Sequence, residues 1–311
     1  MLKYTYLSKR PSSFHNLTGI SVQEFEQLYV QFAPFWEQSE QTRLTRPNRR
    51  RAIGGGHPYG LDLRTQLLMT LVWLHLYLTT DTLGLLFGVH KSAISRNSRR
   101  VLPILRRLGE DSLWWSEPPG RFQGRNLPEA LRDFPDLLTI LDVTEIVVQR
   151  PQDRQQRTLH FSGKKKAYTR KTGLMVNEHG RIRGLTRSRP GQMHDLTVFR
   201  QSGLLAGLPL EATMVGDKGF EGIHRDLPEH SVAIPHKTHY KHPLEEAEKW
   251  ANRDIASQRI VVENTICELK HFKVLANRFR HDAERLDDAL RAVVALVNPR
   301  IADRVAATSA A

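Results

Sequence analysis

The chain has 311 residues, of which 40% are hydrophobic, so it is long enough for two domains that each bury a core. Lysine and arginine number 46 against 33 aspartate and glutamate residues, and the net charge of +13 indicates a polyanionic partner, first of all nucleic acid. A single cysteine, Cys267, excludes intrachain disulfides and cysteine-based zinc motifs, and we expect its sulfur to have only a packing role.

The amino-terminal region is predicted to be helical. Ser21 and Glu24 form the S-x-x-E pattern of a capping box, and apolar residues then recur at helical spacing until Pro34, which we expect to disturb or end the helix. The arginine-rich segment 43–51 is either a solvated basic loop or, as we favour, an arm that grips phosphates. Its predicted DNA contacts are Arg49, Arg50 and Arg51.

An apolar segment follows from about Leu63 to Leu78. It is shorter than the roughly 18 residues of a membrane span and contains Arg64 and His75, so we predict a core helix. The amino terminus lacks the apolar stretch of a secretory signal. We therefore expect a cytoplasmic, nucleoid-associated protein of a bacterial cell.

Residues 79–108 have the spacing of a helix-turn-helix, with a turn near Gly88 and a second helix from about Lys91. On the second helix, small polar and basic residues form a stripe, while apolar residues point toward the first helix. Such a stripe suits a major groove or backbone phosphates, although an ordinary pair of surface helices has the same pattern. The predicted DNA contacts are Lys91, Ser92, Ser95, Arg96 and Arg99.

Prolines and glycines mark residues 116–136 as a linker between an α-helical DNA-binding domain, 1–115, and a second domain, 137–305. In the second domain, the sequence pattern predicts a strand over 137–149, a hairpin turning at 178–180 and a short helix. Two further strands and a long helix from Asp254 to Arg278 are predicted to follow. This order is that of a ribonuclease H-like core, so the predicted class is α/β, a mixed sheet with flanking helices.

Three carboxylates lie where phosphodiester chemistry needs them. Asp142 interrupts an apolar strand, where a lone carboxylate is costly unless it faces a cation or a polar cleft. Asp217 follows an apolar strand, where open sheets place ligands, with turn capping as the alternative. Glu263 shares a helical face with Arg259 and Lys270, although an exposed Arg259–Glu263 ion pair gives the same pattern. Carboxylates that converge can hold two divalent cations, which activate the attacking oxygen and stabilise the leaving one.

Several ordered motifs carry a family resemblance. They are DVTE at 142–145, the stretch from Ser162 to Asp195, GDKGF at 216–220, and R-x3-E-x6-K around Glu263. Together they resemble the DDE superfamily endonuclease domain, which occurs in IS-five-type bacterial insertion-sequence transposases and in the eukaryotic Harbinger group. The similarity covers roughly residues 137–300, and the helix-turn-helix region is similar to the domain that usually precedes it. One departure is Ala256, where the family often has a tyrosine.

The resemblance implies that Asp142, Asp217 and Glu263 are the catalytic residues and the ligands of two Mg²⁺ or Mn²⁺ ions. It implies a DNA transposase that binds terminal inverted repeats, cleaves the ends of the element and joins their 3′ hydroxyls to target DNA. The implied partner is double-stranded DNA, handled by a homodimer or a higher synaptic complex. Two alternatives stay open: a domesticated DNA-binding protein that does not cut, and a nuclease of the same fold without strand transfer.

His194 and Asp195 also look like a family feature. Asp195 either N-caps the following helix or has an accessory role toward metal or DNA. Histidines between His236 and His242 lack a fourth ligand type, so zinc is not expected. Several cations near the catalytic motifs are predicted to contact phosphates rather than to form a solvated charge run. They are Lys164, Lys165, Lys166, Arg170, Lys171, Arg259 and Lys270.

Overall fold

The computed structural model describes residues 1–45, 60–113, 138–208, 212–238 and 243–309. The predicted arm at Arg49, Arg50 and Arg51 and the predicted linker at 116–136 lie outside the described residues. The chain divides into two compact units. The first comprises Met1–Glu110, His271–Asn277 and Asp288–Leu296. The second comprises Asp111–Lys270, Arg278–Asp287 and Val297–Ala311.

Within the described ranges, the regular elements are as follows. The helices are α1 (Tyr4–Leu7), α2 (Pro11–Thr18), α3 (Val22–Leu44), α4 (Leu63–Leu76), α5 (Thr80–Phe87), α6 (Lys91–Asp111), α7 (Arg154–His160), α8 (Asp195–Arg200), α9 (Glu246–His271), α10 (Lys273–Ala276) and α11 (Ala283–Ser309). The strands are β1 (Leu138–Val147), β2 (Phe161–Ser162), β3 (Ala167–Val176), β4 (Ile182–Leu185), β5 (Arg189–Pro190), β6 (Thr213–Val215) and β7 (Val232–Ala233).

Helix α3 begins at the predicted capping box, in which Ser21 and Glu24 exchange side-chain-to-backbone hydrogen bonds. The helix continues through Pro34 to Leu44, so the expected end at this proline is wrong. Pro34 is exposed, whereas Phe32 and Trp36 are buried on the other side of the helix. The backbone hydrogen bond that Pro34 removes is therefore lost on the solvent-facing side of the helix. Core packing of residues before and after Pro34 stabilises the helix across this position.

The apolar segment forms α4, as predicted, and every residue from Thr65 to His75 is buried. Asp62 caps its amino terminus by accepting a hydrogen bond from the Thr65 amide at 2.9 Å. Helices α2 and α10 pack against α4 in the first unit. In the parts of the chain that the structure describes, no helix is both long and apolar enough to cross a membrane.

The predicted helix-turn-helix is confirmed as a local structure by α5 and α6. Between them, Gly88 takes a left-handed conformation with φ of 64°, which glycine adopts without steric cost. Ile94, Asn97 and Val101 of α6 are buried, and their burial leaves the opposite face of α6 to solvent. This is the amphipathic arrangement that the sequence pattern predicted.

A mixed sheet forms the centre of the second unit, in the order β2-β3-β1-β6-β7. β1 pairs antiparallel with β3 and parallel with β6, β6 pairs parallel with β7, and β4 and β5 also pair with β3. The predicted hairpin is confirmed by β3 and β4, which turn at Gly180, where φ is 83°. The predicted long helix is confirmed as α9, although it begins at Glu246 and ends at His271.

The core below the sheet joins strand and helix side chains. Leu141, Met175 and Met214 of the sheet pack with Phe199 of α8 and with Phe220. Burial of large apolar side chains is the main stabilising contribution, on the order of 2 kcal/mol each. It fixes β1 and β6 beside each other, which places the polar residues at their carboxyl ends.

Candidate active site

Two predicted carboxylates follow neighbouring parallel strands at the same level. The register pairs Ile140 of β1 with Val215 of β6, and Asp142 and Asp217 each come two residues later. Neighbouring strands lie about 4.8 Å apart. The parallel pairing of β1 with β6 therefore brings together two acids that are distant in sequence, at the end of the sheet where ligands of open sheets bind.

Asp217 also stabilises its own turn. Its Oδ1 accepts a hydrogen bond from the Gly219 amide at 2.7 Å and caps a short 3-10 helix, Lys218–Phe220. The capping alternative considered for Asp217 is thus realised in the structure. It fixes the orientation of the carboxylate, because one of its oxygens is held by the backbone.

Glu263 and Asp142 flank one guanidinium group. An Arg259 guanidinium nitrogen lies 3.6 Å from Oε1 of Glu263 and 3.9 Å from Oδ2 of Asp142. The Arg259 side chain is only 18% exposed, whereas that of Glu263 is 55% exposed. The i, i+4 pair on α9 is therefore more than a surface ion pair, since the arginine reaches inward to the sheet carboxylate.

The Asp142 carboxyl is held in a partly buried position at the end of β1. Its pKa is raised from 3.8 to about 6, mainly by burial and to a smaller extent by the charges of Asp217 and Glu263, while the Val143 amide and Arg259 act in the opposite direction. The Val143 amide donates to Oδ1 of Asp142 at 2.7 Å. Carboxylates that raise the pKa of a neighbour in this way repel one another, which favours a cation between them.

A further acid, Glu145, lies beside Asp142 in the same cleft, and we did not select it from the sequence as a site residue. It faces Lys171 across β1 and β3, with Oε1 at 3.9 Å from Nζ, and it accepts a hydrogen bond from the Thr169 hydroxyl at 2.9 Å. The side chain of Glu145 is only 9% exposed. Its place in the DVTE motif could have indicated Glu145 as a site residue. Side chains alternate along a strand, however, so this rule alone assigns positions 142 and 145 to opposite faces of the sheet.

Lys171 connects this acid to the predicted accessory residue Asp195. Its Nζ donates to Oδ1 of Asp195 at 2.8 Å and to the carbonyl of Met193 at 2.9 Å, and its side chain is 13% exposed. A nearly buried lysine that is held by two carboxylates has a structural task in addition to its charge. Lys171 was predicted to grip DNA, and the structure shows it engaged within the protein.

Asp195 and Asp217 both lie close to Gly219, where there is no space for a side chain. A methyl group at Gly219 would lie 2.9 Å from Oδ1 of Asp217 and 3.2 Å from Oδ2 of Asp195. The N-cap residue of α8 is His194, which is exposed and makes no capping hydrogen bond, so Asp195 does not N-cap this helix. Its carboxylate instead faces Lys171 on one side and the Asp217 turn on the other.

These residues line one open cleft with a volume of about 470 Å³, bounded by Asp142, Glu145, Asp195 and Glu263 and by basic residues. Asp217 lies beside this cleft and is connected to it through Asp195. Cys267 also lines the cleft and is exposed, which contradicts the expectation that its sulfur has only a packing role. It lies one helical turn after Glu263 on α9 and therefore shares that face.

The predicted DNA-contact cations of this unit fall into two groups. Lys164, Lys165 and Lys166 are exposed in the turn between β2 and β3. Arg170 is instead half-buried and donates to the Ser188 hydroxyl and carbonyl at 3.0 and 2.8 Å, so its guanidinium contacts the protein itself.

Lys270 also differs from the exposed lysines. Burial and the charge of Lys165 lower its pKa, and its Nζ donates to the Glu145 carbonyl at 3.3 Å. It lines the cleft at the end of α9, on the same helical face as Arg259 and Glu263. Lys270 thus lines the cleft together with Lys164 and Lys165.

In the first unit, the predicted stripe on α6 is accessible. Lys91, Arg96 and Arg99 are exposed, and Ser92 and Ser95 are partly exposed. Lys91 makes a long ion pair of 3.7 Å with Asp81, and the side chains of both residues are mostly exposed. Such pairs are weak, so the stripe keeps its capacity to bind an anionic surface.

The donor set at the sheet end fits a divalent cation in its chemistry, because carboxylate oxygens are the ligands that Mg²⁺ and Mn²⁺ prefer. In the described ranges, however, no three His, Cys, Asp or Glu side chains are close enough together to form a metal-binding group. Arg259 provides positive charge between Asp142 and Glu263. Of the histidines considered for zinc, His236 faces Glu248 at 3.5 Å, and His239 and His242 lie outside the described residues.

Comparison with known families adds independent findings. The family described as DDE superfamily endonuclease matches residues 141–298, and the helix-turn-helix of DDE superfamily endonuclease matches residues 59–111. A protein of Microchaete diplosiphon, described as a probable transposase for insertion sequence element IS702, is 27% identical over 291 residues. The match covers 93% of this chain and 94% of that protein. No solved structure gives a significant match.

Proposed function

The chain belongs to the DDE superfamily endonucleases, and we propose that it is the transposase of a bacterial insertion sequence. In this proposal it binds the terminal inverted repeats, cleaves a phosphodiester bond at each end and joins the 3′ hydroxyls to target DNA. Similarity along almost the whole length of the described transposase supports the same domain organisation. A helix-turn-helix domain and an endonuclease domain in one chain are what such an enzyme needs.

We propose a ribonuclease H-like fold for the catalytic domain. Three observations support it: an antiparallel hairpin beside β1, two strands parallel to β1 on its other side, and a long helix that carries Glu263. This arrangement is a mixed sheet with helices on its faces, in which the central strand provides the first carboxylate. Asp142 takes that place on β1.

The observation that carries the catalytic proposal is the alignment of Asp142 and Asp217 on adjacent parallel strands, with Glu263 joined to Asp142 through Arg259. We propose these three carboxylates as the ligands of two Mg²⁺ or Mn²⁺ ions. When bound, such ions supply Lewis-acid stabilisation of the attacking and leaving oxygens in substitution at phosphorus. Hydrolysis and strand transfer are both such substitutions, so one site serves both steps.

The other residues of the cleft have roles of their own in this proposal. Arg259 holds Asp142 and Glu263 in place and partly compensates their charge. Lys171 fixes Asp195 beside the Asp217 turn. The exposed lysines Lys164, Lys165 and Lys166 contact DNA phosphates near the reacting bond.

The helix-turn-helix unit is proposed to recognise the ends of the element. The exposed stripe of α6 provides contacts to bases or phosphates, and the arm with Arg49, Arg50 and Arg51 adds further phosphate contacts. Both ends of an element must be handled together, so we propose a homodimer or a larger synaptic complex with double-stranded DNA.

The test is cleavage of a labelled DNA that carries the end of the element, in the presence of Mg²⁺. The wild type is expected to release the labelled end, and Asp142→Asn is expected to be inactive while it binds the same DNA. Glu229→Gln, at an exposed carboxylate outside the cleft, serves as the matched control and keeps full activity. Equal cleavage by the wild type and by Asp142→Asn would contradict the assignment of the site.

The same reaction separates the two alternative functions. A domesticated DNA-binding protein shifts the labelled DNA in a gel but leaves it intact in Mg²⁺ and in Mn²⁺. A nuclease without strand transfer releases the ends but does not join them to a supercoiled target plasmid. Joined products that require Asp142, Asp217 and Glu263 support the transposase proposal.

A further inference from the structure

A large aromatic ring is exposed at the edge of the catalytic cleft. Phe161, the first residue of β2, is 43% exposed and lines the same cleft as Asp142 and Glu263. Exposure of an aromatic side chain costs the free energy that its burial provides elsewhere. At the edge of a polar cleft, such a ring is available to a ligand that presents a flat apolar face.

The ring of Phe161 is supported from behind. Phe161 pairs with Tyr168 across β2 and β3, and the two rings meet edge to face with centroids 5.8 Å apart and an interplanar angle of 71°. Edge-to-face pairs of this geometry are favourable, so Tyr168 limits the rotation of the Phe161 ring. The ring thus lines the cleft in a supported position.

Cations follow the ring directly along the chain. Lys164 and Lys165 are exposed and line the cleft with Phe161. In the turn that carries these lysines, the Lys165 amide donates a hydrogen bond to the Ser162 hydroxyl at 3.2 Å. Lys166 in the same turn has a left-handed backbone conformation, with φ of 51°. An aromatic ring and adjacent cations are the types of group that bind a base and its phosphate.

We infer that the cleft binds an unpaired nucleotide at the end of the DNA, with its base stacked on Phe161 and its phosphates beside Lys164 and Lys165. The inference deepens the proposed function and rests on it. A base inside a duplex has both faces covered by its neighbours, whereas an unpaired base is free to turn out of the stack and to present a whole face to a side chain in the cleft. Unpairing also gives the carboxylates access to the phosphodiester bond next to that base.

The charged residues of the cleft favour binding of a nucleotide over binding of an apolar protein segment. Phe161 lines the same cleft as Lys164, Lys165 and several carboxylates, and an apolar segment bound there would desolvate these charged groups without compensation. The cleft volume of about 470 Å³ lies within the ~300–1,000 Å³ range of sites that bind small molecules or single ligand groups. A single extruded nucleotide is a ligand of this kind.

The experiment measures stacking without catalysis. The probe is a duplex with the terminal sequence of the element and 2-aminopurine as its last base, either paired or opposite a mismatch, in a buffer without divalent metal. The wild type is expected to quench the fluorescence of the mismatched end. Phe161→Ala and Phe161→Leu are expected to lose this quenching and to bind the mismatched end about tenfold more weakly, with unchanged affinity for the paired duplex.

Two further variants complete the design. Phe161→Trp retains an aromatic face and is expected to restore quenching. Leu159→Ala is the matched control, because Leu159 is equally exposed at 43% and does not line the cleft, and it is expected to behave as the wild type. Thermal unfolding of each variant verifies the fold, and Phe161→Leu, which preserves an apolar side chain, keeps the test valid if Phe161→Ala is unstable.

Unchanged quenching in both Phe161→Ala and Phe161→Leu, or an equal loss in Leu159→Ala, would overturn the inference. The fluorescence readout does not depend on cleavage, so a failure of this inference can be distinguished from a failure of the proposed function. If Asp142→Asn cleaves as well as the wild type, the catalytic assignment fails, whereas the stacking result stands on the fluorescence alone.

Discussion

Two regions of the molecule use lysine and arginine in different environments. On α6, Lys91, Arg96 and Arg99 are exposed, and the ion pair of Lys91 with Asp81 is long. At the candidate active site, Arg259 and Lys171 are mostly buried, and each lies against two carboxylates. Exposed cations bind an external polyanion by screened, additive contacts, whereas the buried ones hold other groups in position. The difference predicts unlike responses to substitution and to salt.

The largest effect is expected at the carboxylates that the buried cations hold. Glu263→Gln should lower cleavage by at least about a thousandfold, because the loss of one acid charge weakens cation binding at the proposed site. Asp254→Asn makes the same type of change at an exposed position of α9 and is expected to be neutral. Single-turnover cleavage of labelled ends provides the measurement, and similar rates for the two variants would contradict the role of Glu263.

A smaller loss is expected when the positioning cation is removed. Lys171→Met should lower the rate of cleavage roughly 10–100-fold, as groups that orient metal ligands do, while DNA affinity changes little. The neutral side chain leaves Glu145 and Asp195 without their shared partner. An increase in the Mg²⁺ concentration needed for half-maximal rate is the readout that a purely structural defect would not produce. A loss of DNA affinity with an unchanged cleavage rate would assign Lys171 to DNA contact instead.

The exposed stripe is predicted to respond in the opposite way. Arg96→Ala and Arg99→Ala should each weaken DNA binding several-fold at moderate salt and reduce the slope of log affinity against log salt by about 1. The cleavage rate at saturating DNA should not change. Binding titrations at several salt concentrations test this, and an unaltered slope in the double variant would show that α6 does not contact phosphates. Arg225→Ala, at an exposed arginine of the other unit, is the control.

The smallest effect concerns the core of the first unit, where His75 is buried on α4 with Nε2 at 3.2 Å from Nε2 of His271. Burial lowers the pKa of His75, and the charge of His271 lowers it further. Because the unfolded chain binds the proton more readily than the folded protein, stability is expected to fall as pH falls below about 6.5.

His75 is expected to contribute a loss of stability between about pH 7.5 and 5.5, and His75→Gln should remove this contribution. Denaturant titrations at the two pH values measure the difference in the free energy of unfolding. His224→Gln, at an exposed histidine, should retain the pH dependence of the wild type. A steeper dependence in His75→Gln would contradict the prediction.

The elements were largely predictable from the sequence because their local signals agree. The capping box at Ser21, the stripe on α6 and the turn at Gly180 each depend on residues close together in the chain, and each was confirmed. Pro34 was the exception, because the packing of Phe32 and Trp36 that holds α3 together across it is tertiary. Helix boundaries were also less certain, as the early start of α9 shows.

The candidate site was predictable only in part. The motifs indicated Asp142, Asp217 and Glu263, and their role as metal ligands stays a prediction. The contact between Glu145 and Lys171 could not be predicted, because it depends on the register between β1 and β3, which a single sequence does not specify. For the same reason Lys171 and Arg170 were grouped with the exposed lysines, although burial gives them contacts within the protein.

β1 combines two kinds of pairing, since one edge faces β3 in the opposite direction and the other faces β6 in the same direction. An insertion or deletion of a single residue before Asp142 would turn the following side chains to the other surface of the sheet. Length changes in this strand are therefore expected to abolish activity even where they preserve folding, so its length is constrained in any engineered or natural derivative of the protein. Insertions in exposed loops, such as the one that ends with Asp153, should be tolerated far better.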